Sequence, residues 1–225
     1  MLSVVIPTLN AERYLLKCLA AVANADEIIV VDGGSTDDSA LIAQEAGTRL
    51  IACMPGRGAQ LRAGAEAARG DWMMFLHADT LLEVGWLQSV ATHVRLYPNR
   101  AGCFQLKLDD NAWQARLVER AVALRVELLG IPYGDQGLLI SRAHYDRVGG
   151  YQPLPLMEDV DLVRRIGRSH MRSLGADALT SAERWRSDGW FRRSARNLAC
   201  MTFYLLGGSP ERIARFYDPA RSARA

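Results

Sequence analysis

Nothing in this chain of 225 residues marks a break between domains: there is no Ser/Gly tract, no low-complexity run and no internal sequence repeat. The longest late apolar run, Leu198 to Leu206, is interrupted by Thr202 and falls well short of the ~20 residues a membrane-spanning helix needs. No basic stretch leads into an apolar one at the N-terminus, so no secretory leader is expected. Cys18, Cys53, Cys103 and Cys200 are widely separated and form no Cys-x-x-Cys pair. Without a leader, that predicts four buried thiols in a reducing, cytoplasmic setting. Also missing are a Gly-x-Ser-x-Gly elbow and a Ser/His/Asp arrangement, which argues against a nucleophilic hydrolase. Gly56-x-Gly58 lacks a third glycine and follows the third strand pattern, so it is no dinucleotide fingerprint. His93, His144 and His170 have no metal-ligand spacing.

What is present suits one folded unit. The chain is 49% hydrophobic, enough to bury a full core. A net charge of +2 hides an asymmetry. Residues 1–163 carry 14 Lys+Arg against 20 Asp+Glu, and residues 164–225 carry 13 against 5. The basic end also interleaves Trp185, Trp190, Phe191 and Phe203 with Arg192, Arg193 and Arg196. A solvated helix surface explains this, and so does a face for an anionic acceptor, an acidic partner or an anionic membrane. No nucleic-acid motif accompanies the charge, so nucleic acid is not an expected partner.

Strand and helix patterns alternate from the first residues. Leu2 to Asn10 reads as a strand that stops at Pro7, and Ala11 to Ala23 as a helix with Tyr14, Leu15, Cys18, Leu19 and Val22 on one face. The run Glu27 to Val31 ends in Asp32-Gly33-Gly34-Ser35-Thr36-Asp37, a buried strand followed by a tight turn and a capped helix. Thr48 to Cys53 is a third strand, Met54 to Gly58 a loop, and Ala59 to Arg69 a helix. A fourth strand, Asp71 to Leu76, runs into His77-Ala78-Asp79. This rhythm predicts an α/β fold around a mostly parallel sheet. Ligands bind such sheets at the carboxyl ends of the strands, which is where Asp32 and Asp79 fall.

Asp79 offers a carboxylate to a hard divalent cation, Mn²⁺ or Mg²⁺, which takes oxygen ligands and completes its shell with water and substrate phosphates. His77 beside it suits softer metals better, so a partner to the ligand sphere is expected rather than a direct ligand. The alternative for Asp79 is a helix N-cap ahead of Leu81-Leu82. Met157-Glu158-Asp159-Val160-Asp161 opens a helix through Ile166. Its acids serve either a first helical turn or a general base. Arg57, flanked by two glycines, suits a phosphate or base contact. Tyr133-Gly134-Asp135-Gln136-Gly137 is either a turn or the wall of an acceptor pocket. Trp113 to Leu129 is an apolar helix whose Leu117, Val118, Ala121, Leu124 and Leu128 are expected in the core.

The ordered set Val4-Val5-Ile6-Pro7-Thr8-Leu9-Asn10, Val31-Asp32-Gly33-Gly34-Ser35-Thr36-Asp37, His77-Ala78-Asp79, Gly149-Gly150-Tyr151 and Glu158-Asp159 resembles glycosyltransferase family 2, inverting enzymes of the GT-A fold. The resemblance covers residues 1 to about 166. It implies that Pro7, Thr8, Asn10, Asp32, Gly34, Arg57 and Ala78 hold the nucleotide of a UDP- or GDP-sugar. Asp32 would accept a hydrogen bond from the base. Asp79 would be the last acid of the metal-binding Asp-x-Asp motif, with His77 standing where the family usually has aspartate. Asp159, next to Glu158, would be the catalytic base. Gly134-Asp135-Gln136-Gly137, Ser181-Ala182-Glu183-Arg184-Trp185 and Tyr204 to Pro210 are similar to small single-domain members, some assigned to arsenosugar biosynthesis. Arg184-Trp185 also resembles the Arg-Trp pair of processive synthases. Asp135, Gln136, Arg184 and Trp185 are therefore expected on the acceptor side.

The reading that results is one domain over 1–225. Residues 1–100 form the nucleotide-sugar-binding half, 101–180 the acceptor and catalytic half, and 181–225 a basic C-terminal helical extension. It would transfer a sugar from a nucleotide diphosphate to an acceptor hydroxyl in the cytoplasm, with a peripheral contact to anionic membrane at its inner face. Two rivals remain. A sugar-nucleotide-forming nucleotidyltransferase should carry a glycine-rich basic loop where Pro7-Thr8-Leu9-Asn10 stands. A non-catalytic nucleotide-binding module should lack Asp79 or Asp159.

Overall fold

The computed structural model describes residues 1–217. Its strands are β1 (Leu2–Thr8), β2 (Glu27–Asp32), β3 (Arg49–Ala52), β4 (Trp72–Phe75), β5 (Thr80–Leu82), β6 (Ala101–Leu108), β7 (Leu138–Ser141) and β8 (Met171–Thr180). They form one sheet in the order β3-β2-β1-β4-β7-β6-β8-β5. The half β3-β2-β1-β4 is parallel. β7 then runs antiparallel to both β4 and β6, β6 is parallel to β8, and β5 is antiparallel to β8.

Helices α1 (Glu12–Ala21), α2 (Ser39–Glu45), α3 (Arg57–Ala67) and α4 (Trp86–Leu96) pack beside the first half of the chain. Then come α5 (Trp113–Leu129), α6 (Arg142–Arg147), α7 (Glu158–Ile166), α8 (Glu183–Asp188), α9 (Trp190–Leu205) and α10 (Pro210–Tyr217). The two faces of the sheet carry separate cores. Val5, Ile29, Val31, Met73 and Phe75 pack with α3 and α7 on one side. Val4, Ile6, Val30, Met74 and Leu76 pack with α1 and α4 on the other. Burial on both faces explains why these strands read as unbroken apolar runs.

Five expectations change. β1 continues through Pro7, which pairs in register with Val31. Val5 accepts a bond from Leu76 on the β4 side, so Pro7 faces that side too, beyond the end of β4, where its missing N–H has no ladder bond to make. Arg57 is not in a loop: Gly56, at φ 147, precedes it and Arg57 opens α3. Asp79 caps no helix, because Thr80–Leu82 is a short strand against β8. The largest change concerns α5, whose ends fall where the pattern put them. Val118 is buried, yet Leu117, Leu124 and Leu128 are exposed, as is Trp113. The face that packs inward carries Ala115, Val118 and Glu119, whose carboxylate accepts a bond from the Leu108 amide at 2.8 Å. All four cysteines are free, and Cys53 is half-buried rather than buried.

Candidate active site

Two cavities meet at the carboxyl ends of β1 and β4. A cleft of ≈ 430 Å³ is lined by Pro7, Thr8, Asn10, Gln60, Ala78 and Tyr14 among others. A smaller cavity of ≈ 120 Å³ is lined by Tyr133, Gly134, Asp135, Glu158, Asp159 and Trp185. Arg57, His77, Asp79, Ser181 and Arg184 belong to both walls.

The cleft is organised by local loops. Thr8, at the end of β1, is buried. Asn10 follows at φ 51, a left-handed conformation that asparagine tolerates. Its backbone N–H donates to Ser35 Oγ at 2.9 Å, and its side-chain oxygen accepts from the Thr36 amide at 2.8 Å. Asp32 accepts from the amides of Gly34 and Ser35, each at 3.0 Å, and from Ser35 Oγ at 2.5 Å. Asp32 and Gly34 thus shape the loop behind Asn10, and neither lines the cleft. The floor is Gln60, buried on α3, whose amide donates to the carbonyls of Thr8 and Val31 at 2.8 Å each. No motif pointed to Gln60. The signal was a polar residue on the inward face of an alanine-rich helix.

The cavity is assembled from distant segments. Arg57 Nε lies 3.1 Å from Glu158 Oε1, and Glu158 is 2% exposed. Arg57 Nη1 lies 3.0 Å from His77 Nε2. A guanidinium only donates, so His77 Nε2 is the acceptor and the ring is neutral. Burial, then the charges of Arg57 and Arg184, holds the His77 pKa well below its usual value. Burial opposes the charge on Arg57, but Glu158 and Asp159 more than offset it and raise its pKa. Asp159 Oδ2 accepts from the Gly134 amide at 2.7 Å, and Oδ1 from the Val160 amide at 2.7 Å. A Cβ on Gly134 would stand 2.5 Å from His77 Nε2, so only glycine brings that amide to Asp159 without moving the ring.

Strain sits just upstream. Met157, ahead of Glu158, has φ 67, and it and Asn10 are the non-glycine residues with positive φ among those described. Both flank the two cavities, where held strain aims side chains. Gly58 lets the loop before Met157 dock on α3, since a Cβ there would lie 2.3 Å from the Gln152 carbonyl oxygen.

Asp135 lies on a 3-10 turn, Gly134–Gln136, and its Oδ1 has no hydrogen-bond partner. Burial pushes its pKa up to about 6, opposed by Arg125 and reinforced by Asp159 and Asp79. Thr180 Oγ1 donates to the Asp135 carbonyl at 3.2 Å and lies 3.0 Å from Thr80 Oγ1, tying this turn to the residue after Asp79. Gln136 is not brought to the cavity. Its amide donates to Phe104 O at 3.0 Å and its oxygen accepts from Arg125, which makes it a brace for the turn. Trp185 lines the cavity, stacked on Trp190 at 5.9 Å, with Arg193 over its ring. These aromatics face inward and are not part of a basic outer surface.

Among the described residues, no cluster of three or more His, Cys, Asp or Glu is placed to hold a metal ion. Asp79 alone contributes a carboxylate to both cavity walls, and the Arg57 bond takes the Nε2 lone pair of His77. That donor set fits a hard cation that takes most of its oxygens from substrate phosphate and water.

The family model described as Glycosyl transferase family 2 matches residues 3–136. The chain belongs to that family. A PGL/p-HBAD biosynthesis glycosyltransferase of Mycobacterium bovis is 36% identical over 106 residues, 42% of this chain and 41% of the relative. An uncharacterized glycosyltransferase of Mycobacterium tuberculosis is 33% identical over 93 residues, 41% of this chain and 43% of the relative. The matches thus span about two-fifths of these relatives' own lengths. Among solved structures, Staphylococcus aureus TarS 1-349 in complex with UDP-GlcNAc superimposes with a TM-score of 0.61 at 16% identity, covering 80% of this chain and 58% of that one. Glucosyl-3-phosphoglycerate synthase from Mycobacterium tuberculosis, in complex with Mn²⁺, UDP-glucose and phosphoglyceric acid, gives a TM-score of 0.56 at 24% identity, covering 78% and 70%. These likenesses show the fold: the family 2 chain has the GT-A architecture, and its cavities lie at the strand ends where that fold places ligands.

Proposed function

We propose that this family 2 chain is an inverting glycosyltransferase that moves a sugar from a UDP- or GDP-type donor to an acceptor hydroxyl. One observation carries the reading: the cleft of Pro7, Thr8 and Asn10 and the acid-lined cavity of Asp159 share a wall made by Arg57, His77, Asp79 and Arg184. A donor lying along the cleft would put its base and ribose against Thr8, Asn10 and the loop ordered by Asp32 and Gly34. Its diphosphate would then meet the shared wall and its sugar would enter the cavity. In the same reading residues 1–100 form the donor half, 101–180 the catalytic half, and 181–225 the basic extension, whose residues 218–225 lie outside those described and whose Arg184 and Trp185 line the cavity.

The chemistry asked of these residues is a single in-line displacement. Asp159 takes the proton of the acceptor hydroxyl, whose oxygen attacks the anomeric carbon on the face opposite the diphosphate, so configuration inverts. The Gly134 amide fixes one oxygen of Asp159 and leaves lone pairs for the incoming proton. Arg57, held charged by Glu158, and Arg184 offset the charge that develops on the leaving diphosphate. Neutral His77 orients Arg57. A divalent cation on Asp79, Mn²⁺ or Mg²⁺, would supply further charge neutralisation at the leaving group when bound. Closure of the Gly149–Met157 loop, whose Leu156 and Met157 line the cavity, would exclude the water that would otherwise hydrolyse the donor.

A thermal-shift titration with UDP and GDP, with and without Mn²⁺, tests the donor assignment. Saturation at about 100 times the dissociation constant adds about 2.7 kcal/mol and moves Tm measurably. Asp79→Ala should remove the Mn²⁺ increment and keep the fold. His77→Ala should weaken it less. If neither nucleotide moves Tm, the donor assignment is wrong.

A further inference from the structure

Helices α5 and α9 lie side by side, with Trp113 and Phe191 in ring contact at 6.2 Å. Each keeps one polar or buried face and one exposed apolar stripe. On α5, Trp113, Leu117, Leu124 and Leu128 recur at helical spacing, with Trp113 62% and Leu124 54% exposed. On α9, Phe191 and Leu198 are 63% and 58% exposed, and Leu206 extends the line past the helix end. The two stripes adjoin. An exposed apolar surface this continuous marks an interaction site rather than scattered surface residues.

The charge around it is mostly positive, with Glu127 on α5 an exposed acid beside the leucine stripe. Between 189 and 217 there are five arginines and a single acid, Glu211. Among the described residues, Arg120 on α5, Arg192 on α9, and Arg212 and Arg215 on α10 are exposed and carry no ion pair. By contrast Arg193 and Arg196, on the inward side of α9, are neutralised by Asp188. Free cations flanking aromatic and leucine stripes on two adjoining helices match the chemistry of an anionic bilayer surface. No helix among the described residues is long and apolar enough to cross a membrane. We infer that the α5–α9 face docks flat on anionic phospholipid. The opposite face of α9 supplies Arg193 and Asn197 to the acid-lined cavity, so docking would hold that cavity close to the bilayer plane. The inference stands independently of the donor chemistry proposed above.

The test is flotation of the full chain with vesicles of phosphatidylcholine alone or with about one-fifth phosphatidylglycerol, at low salt and at about 0.15 M. Sedimentation velocity follows the same samples without lipid. The expected result is flotation with the anionic vesicles, weaker at the higher salt and negligible with neutral lipid. Leu124→Glu with Leu198→Glu should lower partitioning about tenfold or more, because both apolar anchors are replaced by repelled charges. Arg120→Glu with Arg192→Glu should lower it by a similar factor and leave the apolar stripes untouched. Circular dichroism and melting should match the parent, since all four positions are exposed. Absence of anionic-vesicle binding at low salt overturns the inference. So does unchanged partitioning in both double variants. A stable dimer in solution that the leucine pair dissociates would also overturn it, by assigning the face to a second copy of the chain.

Discussion

The cleft after β1 and the acid-lined cavity share five residues but are built in different ways. Beyond the shared residues, the cleft takes most of its wall from one contiguous run, Pro7 to Ala11 after β1, with Tyr14 and Gln60 beside it, and the loop after β2 holds that run from behind through Asp32, Ser35, Asn10 and Thr36. The cavity draws Arg57, His77, Gly134, Glu158 and Arg184 from five separate segments. A contiguous motif is enough to make the cleft, because parallel strand ends already point their loops the same way. The cavity depends on the antiparallel strand β7 and the turn before it, which bring Gly134 back beside β4. Damage to the cavity should therefore touch chemistry and spare donor binding, and damage to the cleft should do the reverse.

The sharpest separation comes from Asp159→Asn. Turnover should fall about 10²–10⁴-fold while donor affinity, read by titration with UDP or GDP, stays nearly constant. If Glu158→Gln is inactive instead, and Asp159→Asn is not, the base moves to Glu158. Loss of donor affinity in Asp159→Asn would erase the distinction between the two cavities.

On the cleft side, Gln60→Ala removes the side-chain bonds to the carbonyls of Thr8 and Val31 and leaves Thr8 only its bond from the Gly33 amide. It should cost about 1–3 kcal/mol of stability in a denaturant titration and weaken donor binding. The rate constant at saturating donor should change little. A fall in that rate without a fall in affinity would break the comparison.

Asp135 gives a pH test of the cavity. Its folded pKa of about 6 lies above the unfolded value of 3.8. Its contribution to stability is thus fully present below 3.8 and disappears as pH rises through about 6. Asp135→Asn should lack this component of the pH dependence, so that its stability relative to the parent rises between about pH 4 and pH 6 and exceeds it at neutral pH by about 1–2 kcal/mol. Metal-free melts from acid to neutral pH measure it, and parallel curves for the two proteins would refute the assignment.

The smallest effect is expected at the outer rim, where Glu183 pairs with Arg13 at 2.6 Å and accepts from the Tyr14 hydroxyl. The group is exposed and screened, so Glu183→Gln should leave Tm unmoved. A measurable loss would mean that α8 braces the cleft from outside.

Much of the fold was legible residue by residue. Apolar runs ending at Asp32 and near Asp79 predict buried parallel strands, because both sheet faces are covered. The helix Trp113–Leu129 was legible in its ends and not in its orientation. Its leucine stripe looks like a core face because periodicity records only that one side of a helix is apolar. Which side packs was decided by Ala115 and Val118 fitting close to β6, and by the Glu119 carboxylate satisfying the Leu108 amide. Gln136 was misplaced for a related reason: a polar residue in a glycine-flanked turn looks the same whether it faces a ligand or braces the backbone.

By itself, then, the amino-acid order determined the strand–helix alternation, the positions of Thr8, Asp79 and Asp159 at element ends, and the family. These follow from local preference, burial pattern and motif order, all of which are properties of neighbours along the chain. Only the tertiary structure decided that Arg57 bridges Glu158 and His77, that Gly134 serves Asp159, that Gln60 floors the cleft, and that α5 and α9 turn their apolar stripes outward. Each of those depends on distances between residues far apart in sequence, which packing sets and no local pattern encodes.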